Sequence, residues 1–209
     1  MELTIKKIQE NLSSLLPGED AHVPISPVYR KKSSETLKYA VNYNKSAVSL
    51  IIYEKNKELY FVLMQRPFYP GVHSGQISLP GGKMEEFDAD LIQTAIRESE
   101  EEVGLHKEHF ELLGKLTPVF IPASNFLVQP YVFHYNAEPH FQPDRREVLE
   151  VFDYPLSKLL KDDIIEYIDL EIDYKTKIKN VPHFKINNKI VWGATAMILN
   201  EMRWIFGVR

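Results

Sequence analysis

There is no cysteine anywhere in the 209 residues. That absence excludes disulfide bonds, zinc–thiolate centres and thiol nucleophiles. Charge of one sign is not in excess either: 25 basic against 29 acidic side chains leave a formal net charge of -4. A broad basic face for nucleic acid is therefore not expected, although local basic groups can still grip a small anion. No apolar run is long enough to span a bilayer, and the opening MELTIKKIQENLSSLLPGED lacks the apolar stretch of a secretory signal. Internal repeats, low-complexity tracts and linkers are also missing. What remains is 44% hydrophobic and 26% charged, ordinary for a soluble globular protein and long enough for one domain with a real core. The simplest expectation is a cytoplasmic protein with neither a membrane nor a nucleic-acid partner.

The apolar periods give an outline. Leu3, Ile5, Ile8, Leu12 and Leu15 recur at helical spacing and are closed by Leu16-Pro17-Gly18, and a loop rich in Pro, Ser and Lys then runs to about residue 45. Residues 46–55 and 58–66 read as two strands joined by Asn56-Lys57. The stretch 66–82 is punctuated by glycine and proline, with room for one short strand near Gln76 to Leu79. A helix is predicted from about Asp88 to Val103, with Gly104 at its C-cap. Strands follow at 110–121 and 126–136 around the turn PASN, then at 146–155 before a short helix, and at 163–174 and up to 189–192. Residues 193–207 form a closing amphipathic helix. Strands on both sides of a helix, with further helices at the ends, predict a single α/β sandwich.

Within the helix, Ile92, Ala95, Ile96, Ser99 and Val103 share one side, and Glu98, Glu101 and Glu102 occupy another arc beside Arg97. Carboxylates at i, i+3 and i+4 repel one another. A solvated helix face explains many such runs; a divalent cation would instead turn the repulsion into a site. Hard oxygen ligands suit Mg²⁺ or Mn²⁺, which bridge carboxylates to phosphates. The glycines before the helix, read as a turn, would let backbone come close to such a ligand.

The string as a whole resembles the Nudix box, G-x5-E-x7-R-E-U-x-E-E-x-G-U, with U a bulky aliphatic. Gly82, Arg97, Glu98, Glu101, Glu102, Gly104 and Leu105 fall on its fixed positions. Asp88 stands where the first Glu is expected, with eight rather than seven residues between it and Arg97, and Ser99 replaces the aliphatic. The resemblance implies a Nudix-type α/β/α sandwich with a mixed sheet and the catalytic helix after a glycine turn. The chain would be one domain over 1–209, with a leader over 1–45 and the core over 46–209. Glu98, Glu101 and Glu102 would hold Mg²⁺ or Mn²⁺, with a carbonyl near Gly81 or Gly82 as a further ligand, and Arg97 would orient the glutamates. Glu85 fits P-G-G-x-x-E, either anchoring the turn or standing as an exposed loop carboxylate.

The segment before the box is similar to that of the coenzyme A pyrophosphatase branch, L-L-T-x-R-S-x3-R-x3-G-x3-F-P-G-G. Arg66, Gly75, Pro80, Gly81 and Gly82 keep its spacing, while Met64, Pro67 and Leu79 replace Thr, Ser and Phe, and Gly71 replaces the second Arg. His73, Arg66 or a lysine would have to stand in for that guanidinium. The likeness extends to LPGEDAHVPISPVYR, to REVLEVFDYPLSKLL and to the entry of the last helix. It implies cleavage of a coenzyme A-like nucleoside diphosphate, with Arg66, Gly75, Gly81 and Gly82 binding substrate and Glu101, Glu147 and Arg97 in catalysis. Glu147 is a candidate ligand or base from outside the box, or a surface Glu at a strand start. Phe68, Phe120, Phe126 and Tyr131 are candidates for a stacking wall, or core; Trp192 is expected to be packing. ADP-ribose or a dinucleotide remains the alternative substrate, and a non-catalytic Nudix module is disfavoured because all three glutamates are kept. A homodimer is left open.

Overall fold

The computed structural model describes residues 3–27, 30–70, 73–171 and 177–209. Helix α1 (Ile5–Leu12) is capped by Thr4, whose side chain accepts from the Lys7 N–H, and it buries Ile8 and Leu12. It stops short of Leu15, which is fully exposed, so the apolar period overran the helix. The segment expected as loop to residue 45 holds two short helices, α2 (Glu19–His22) and α3 (Ser33–Leu37), and a 3₁₀ turn at Val23–Ile25. These are too short for any periodicity to register.

Strands β1 (Asn44–Lys55) and β2 (Glu58–Gln65) form the expected hairpin. Asn56 and Lys57 both take positive φ, at 52° and 63°, as a two-residue hairpin turn requires. Then come β3 (Ile77–Ser78), β4 (Gly81–Lys83) and α4 (Leu91–Val103). Strands β5 (Phe110–Lys115), β6 (Val119–Ile121) and β7 (Phe126–Tyr135) follow a 3₁₀ turn at Lys107–His109; the expected strand over 110–121 is broken before Val119, where Pro118 cannot donate to a ladder. The chain continues through β8 (Glu150–Pro155), α5 (Leu156–Leu159), β9 (Ile165–Glu171), β10 (Lys177–Ile186), β11 (Lys189–Val191) and α6 (Gly193–Trp204). The strand expected over 163–174 ends at Glu171 among the described residues.

Eight strands form one sheet in the order β3-β2-β1-β7-β5, with β4 also on β1, β6 on β7 and β8 on β2. Only β1 and β7 run parallel, so the sheet is mixed. A second, antiparallel sheet has the order β11-β10-β9. Alternation along β1 assigns the two faces: Ile51 and Tyr53 pack with Val62, Met64 and Val103 under α4. Leu50 and Ile52 pack with Ile8 and Leu12 of α1 and with Leu199 and Met202 of α6. The sheet thus lies between α4 and the pair α1 and α6, an α/β/α sandwich. Among the described residues no helix is long and apolar enough to cross a membrane.

Helix α4 docks partly through a polar pair. Ser99 lies fully buried with its Oγ 2.9 Å from Ser49 Oγ of β1, and both hydroxyls lie within 2.9 Å of Ala95 O. The serine in place of an aliphatic is therefore matched by a partner on the sheet.

On the other face a buried carboxylate ties the leader to the core. Glu201 of α6 accepts from the Gly18 N–H at 3.2 Å, the Thr117 N–H at 3.0 Å and the Thr117 hydroxyl at 2.6 Å, and bonds His22 Nε2 at 3.1 Å. Burial alone would push its carboxyl up, but the bonds from His22 and Thr117 outweigh it and hold the pKa below the ordinary value. Removing one partner of such a buried network costs about 3–5 kcal/mol. Glu201→Ala is therefore expected to lower the midpoint of thermal unfolding at pH 7 by that much stability. Because the folded pKa is depressed, the contribution is present above the unfolded carboxylate pKa and lost as pH falls through the folded value. The gap between wild type and variant should close on acidification, and a pH-independent gap would exclude the charged network.

Candidate active site

The two glycines before α4 belong to a strand, not to the expected turn. Gly81–Lys83 pairs with β1, Gly82 opposite Ala47 and Gly81 opposite Val48. The backbone is extended because its polar groups find partners on β1, and glycine is needed for closeness. A Cβ on Gly81, where φ is +149°, would collide with Ala47 O. A Cβ on Gly82 would lie 2.5 Å from Glu98 Cδ. The strand therefore has no side chain where the α4 carboxylates rest on it.

Helix α4 starts later than the sequence suggested. Asp90 is its N-cap and accepts from the N–H groups of Ile92 and Gln93, both at 2.9 Å. Asp88 lies before the helix and is buried, accepting from the Glu85 N–H at 2.9 Å and the Thr94 hydroxyl at 3.0 Å. Glu85 itself is exposed, and its backbone rather than its carboxylate serves the turn. At the other end Gly104 takes φ +74° and donates to Glu100 O, the C-cap the sequence indicated.

Arg97 joins these parts with all five of its N–H donors. Nε and Nη2 grip Asp88 Oδ1 and Oδ2, both at 2.9 Å. Nη2 also reaches Lys83 O at 3.1 Å, and Nη1 is shared between Glu98 Oε1 at 2.8 Å and Glu101 Oε2 at 2.9 Å. The guanidinium holds the Asp88 carboxyl well below the ordinary carboxylate range. Phe87 covers it, the ring centroid 5.4 Å from Cζ. Asp88 as the bidentate partner of Arg97 was not legible beforehand; its place at the box's first acidic position was the only signal.

Glu102 is buried and accepts from the Gly81 N–H at 2.8 Å. Burial pushes its carboxyl up to about 8 against the pull of that N–H and of Arg66, and the charges of Glu98 and Glu147 push the same way. Burial also raises Glu98, against Arg97. Glu98, Glu101 and Glu102 each give one oxygen to a protein hydrogen bond and, among the described residues, leave the other without one. As the side chains stand, no three acidic or histidine groups among the described residues are gathered into a formed metal cluster. The donor set is nonetheless all-oxygen and crowded with like charge, which fits a hard divalent cation.

Arg66 is half-buried, and its charge is felt at Glu102. Its N–H donates to Gln76 O at 3.0 Å, and Gly75 closes the loop with its N–H on Pro67 O at 3.1 Å. Gly75 has φ +66°, and the Phe68 ring lies where its Cβ would be. His73 Nδ1 meets Gln76 Oε1 at 3.0 Å within the same loop; Gly71 lies outside the described residues. Glu147 sits in a turn at 145–147, before β8 begins at Glu150, and is exposed. The Gln142 and Asp144 N–H groups donate to Val103 O and Glu102 O, and this run along the end of α4 brings the Glu147 charge within reach of Glu98 and Glu102.

Of the aromatic candidates, Phe120 is buried edge-on against Tyr43, Tyr131 packs against Phe133, Phe126 is half-buried, and Phe68 stands 75% exposed. Trp192 is the half-buried N-cap of α6. A cleft of about 570 Å³ between the leader and the β6–β7 turn, lined by Lys31, Glu35, Lys38, Tyr39, Phe120 and Asn125 among others, includes none of the α4 glutamates.

The family model of the NUDIX domain matches residues 43–169. The chain belongs to the NUDIX domain family. Its curated relatives are named uncharacterized Nudix hydrolase NudL. The protein from Pectobacterium atrosepticum is 35% identical over 130 residues, 62% of this chain and 66% of that one. The protein from Enterobacter sp. is 32% identical over 165 residues, 79% of this chain and 84% of that one. Among solved structures, a MutT/nudix family protein from Enterococcus faecalis shares 15% identity over 93% of this chain and 74% of that one, with a TM-score of 0.48. A C. elegans Ap4A hydrolase shares 21% over 56% of this chain and 83% of that one, with a TM-score of 0.47. The protein is thus a Nudix hydrolase, and its Nudix box runs from Gly82 on β4 to Leu105 just beyond α4.

Two outcomes are expected of this Nudix site. Gly82→Ala should displace the Glu98 carboxylate and lower Mn²⁺ affinity by about tenfold or more with far-UV circular dichroism unchanged; unaltered affinity would remove the close approach from the site's design. Second, a folded pKa of about 8 at Glu102, above the unfolded value, stabilises the metal-free protein below the ordinary carboxylate range. That contribution is lost as pH rises through about 8. Mn²⁺ binding at pH 7 should then release about one proton, read by calorimetry in two buffers of different ionisation enthalpy, and buffer-independent heat would contradict it.

Proposed function

We propose that this Nudix hydrolase is a cytoplasmic, metal-dependent pyrophosphohydrolase that cleaves the diphosphate bridge of coenzyme A or an acyl-CoA. The products are 4'-phosphopantetheine and adenosine 3',5'-bisphosphate. The observation that carries the reading is the cluster of Glu98, Glu101 and Glu102 ordered by Arg97 and the Gly81 N–H, with Glu98 against Gly82 and the charge of Arg66 felt at Glu102. Mg²⁺ or Mn²⁺ held by those glutamates supplies charge neutralisation at the phosphoryl oxygens and a more acidic water.

The rest follows from the chain's own groups. Arg97 holds Glu98 and Glu101 in place from Asp88 and Lys83 O, so the carboxylates are ordered before substrate arrives. Arg66 neutralises part of the diphosphate charge. The proton of the attacking water goes to an exposed carboxylate, Glu101 or Glu147; Glu102, buried and bonded to the Gly81 N–H, is read as a metal ligand. Gly71 in place of the branch's second arginine supports the second reading, the same chemistry on ADP-ribose or a dinucleotide.

The test is mass-spectrometric product analysis in ¹⁸O-water over a panel of coenzyme A, acetyl-CoA, ADP-ribose and a dinucleotide, with Mg²⁺ and with Mn²⁺. The expected result is cleavage of coenzyme A with one ¹⁸O in a single product. Coenzyme A left intact while ADP-ribose is cleaved would overturn the substrate assignment. Glu101→Gln should lower kcat by about 100-fold or more without lowering the unfolding midpoint, because it removes a like charge. Full activity in that variant would take Glu101 out of the reaction.

A further inference from the structure

The second sheet reaches the loop that carries Arg66 through one lysine. Lys189 of β11 donates from Nζ to Gln65 Oε1 at 2.7 Å and to Glu150 Oε2 at 2.9 Å. Gln65 in turn donates from Nε2 to Gly75 O at 3.3 Å. The lysine stem is mostly covered, its side chain 24% exposed, and Nζ lies 5.6 Å from the centroid of the Phe152 ring. These contacts form a relay from the sheet β9–β11 to the loop between β2 and β3.

The relay has a definite sense. An ammonium has donors only, so it can face only the oxygen of the Gln65 amide. That fixes the amide and turns its NH₂ towards Gly75 O; the opposite orientation would set an oxygen against an oxygen. The pair with Glu150 is half exposed on the carboxylate side and contributes little. The orientation of Gln65 is what Lys189 controls. Gly75 O is one of three ties at the base of the loop, the others being Arg66 N–H to Gln76 O and Gly75 N–H to Pro67 O. Arg66 is the next residue after Gln65, so the amide and the guanidinium leave the strand from adjacent positions.

We propose that Lys189 is a positioning residue that sets the base of the loop at Arg66–Pro67 and Gly75–Gln76, and through it the Arg66 side chain, for the diphosphate of the substrate. This rests on the reading of the site as a diphosphate hydrolase. It assigns to the second sheet a task in substrate affinity, distinct from the chemistry of the α4 glutamates.

The test compares Lys189→Met, Lys189→Gln and Lys189→Arg with wild type by steady-state kinetics on whichever diphosphate the wild type cleaves, and by hydrogen–deuterium exchange over 66–76. Lys189→Met should raise KM about five- to tenfold with kcat within about twofold, and speed exchange in the loop but not in α4. Lys189→Arg, again donor-only, should restore both; Lys189→Gln, which can donate or accept and so leaves the Gln65 amide free to turn, should not. The relay is overturned if Lys189→Met leaves KM and loop exchange unchanged, if kcat falls with KM constant, or if Gln restores as well as Arg. Should Lys189→Met fail to fold, the Gln and Arg variants decide by the same two readouts. A wild type that cleaves no diphosphate refutes the functional reading instead, and loop exchange in the three variants still judges the relay.

Discussion

One guanidinium organises the centre of this protein. Arg97 spends its five donors on Asp88, Lys83 O, Glu98 and Glu101, partners drawn from three parts of the box. Asp88 belongs to the turn before α4, Lys83 to the strand under it, and the glutamates to the helix itself. Three carboxylates around one cation still leave two negative charges, before Glu102 is added. Arg97 therefore orders the acids without neutralising them. An arrangement that is rigid and under-compensated has a use for a divalent cation that a fully paired network would not have.

The under-compensation is tolerable because of where the backbone runs. Without side chains at Gly81 and Gly82, β4 lies directly beneath the helix and offers the Gly81 N–H to Glu102. The buried Ser49–Ser99 pair does the corresponding work one layer deeper, fixing the rotation of α4 on β1 with directional bonds where two aliphatic side chains would fix it only by shape. Capping by Asp90 and Gly104 sets the helix ends. Rotation, height and length of α4 are thus separately determined, and the arc of Glu98, Glu101 and Glu102 follows from them.

Those parts differ in how visible they are in a sequence. The β1–β2 hairpin, the α4 period and the Gly104 cap are local signals, and each is where the residues indicate. The misses have physical causes. Two adjacent glycines favour a turn when the strand they pair with is unknown, so β4 was read as one. Glu147 was placed at a strand start because 146–155 is apolar enough, whereas hydrogen bonds to the end of α4 hold 142–148 out of the sheet. Leader helices of four and five residues carry no period, and the anchor of the first of them, Glu201, lies at the far end of the chain. Asp88 with Arg97, Ser49 with Ser99, and Lys189 with Gln65 are pairs whose members lie apart in the sequence, so that the pairing itself carries no local signal.

This difference in visibility follows the division of labour in the site. Groups that do chemistry on a phosphoryl centre must be held to tenths of an ångström, and the most economical way is to place them on one helix and one strand close in sequence. Groups that choose what is attached to the diphosphate need reach more than precision. On the proposed reading they come from the loop after β2 and, through Lys189, from the second sheet, which are far apart in the chain and joined by tertiary contacts such as the Gln65 amide. A change in one of these contacts can alter substrate preference while leaving Arg97 and its partners untouched. Gly71, where the branch's pattern has an arginine, is on the proposed reading a change of that kind: it takes a guanidinium out of the segment before the box and leaves Asp88, Arg97 and the glutamates in the sequence. On the proposed reading the reaction is therefore anchored in residues 81–105, and the substrate is decided by contacts that converge on that segment from outside it.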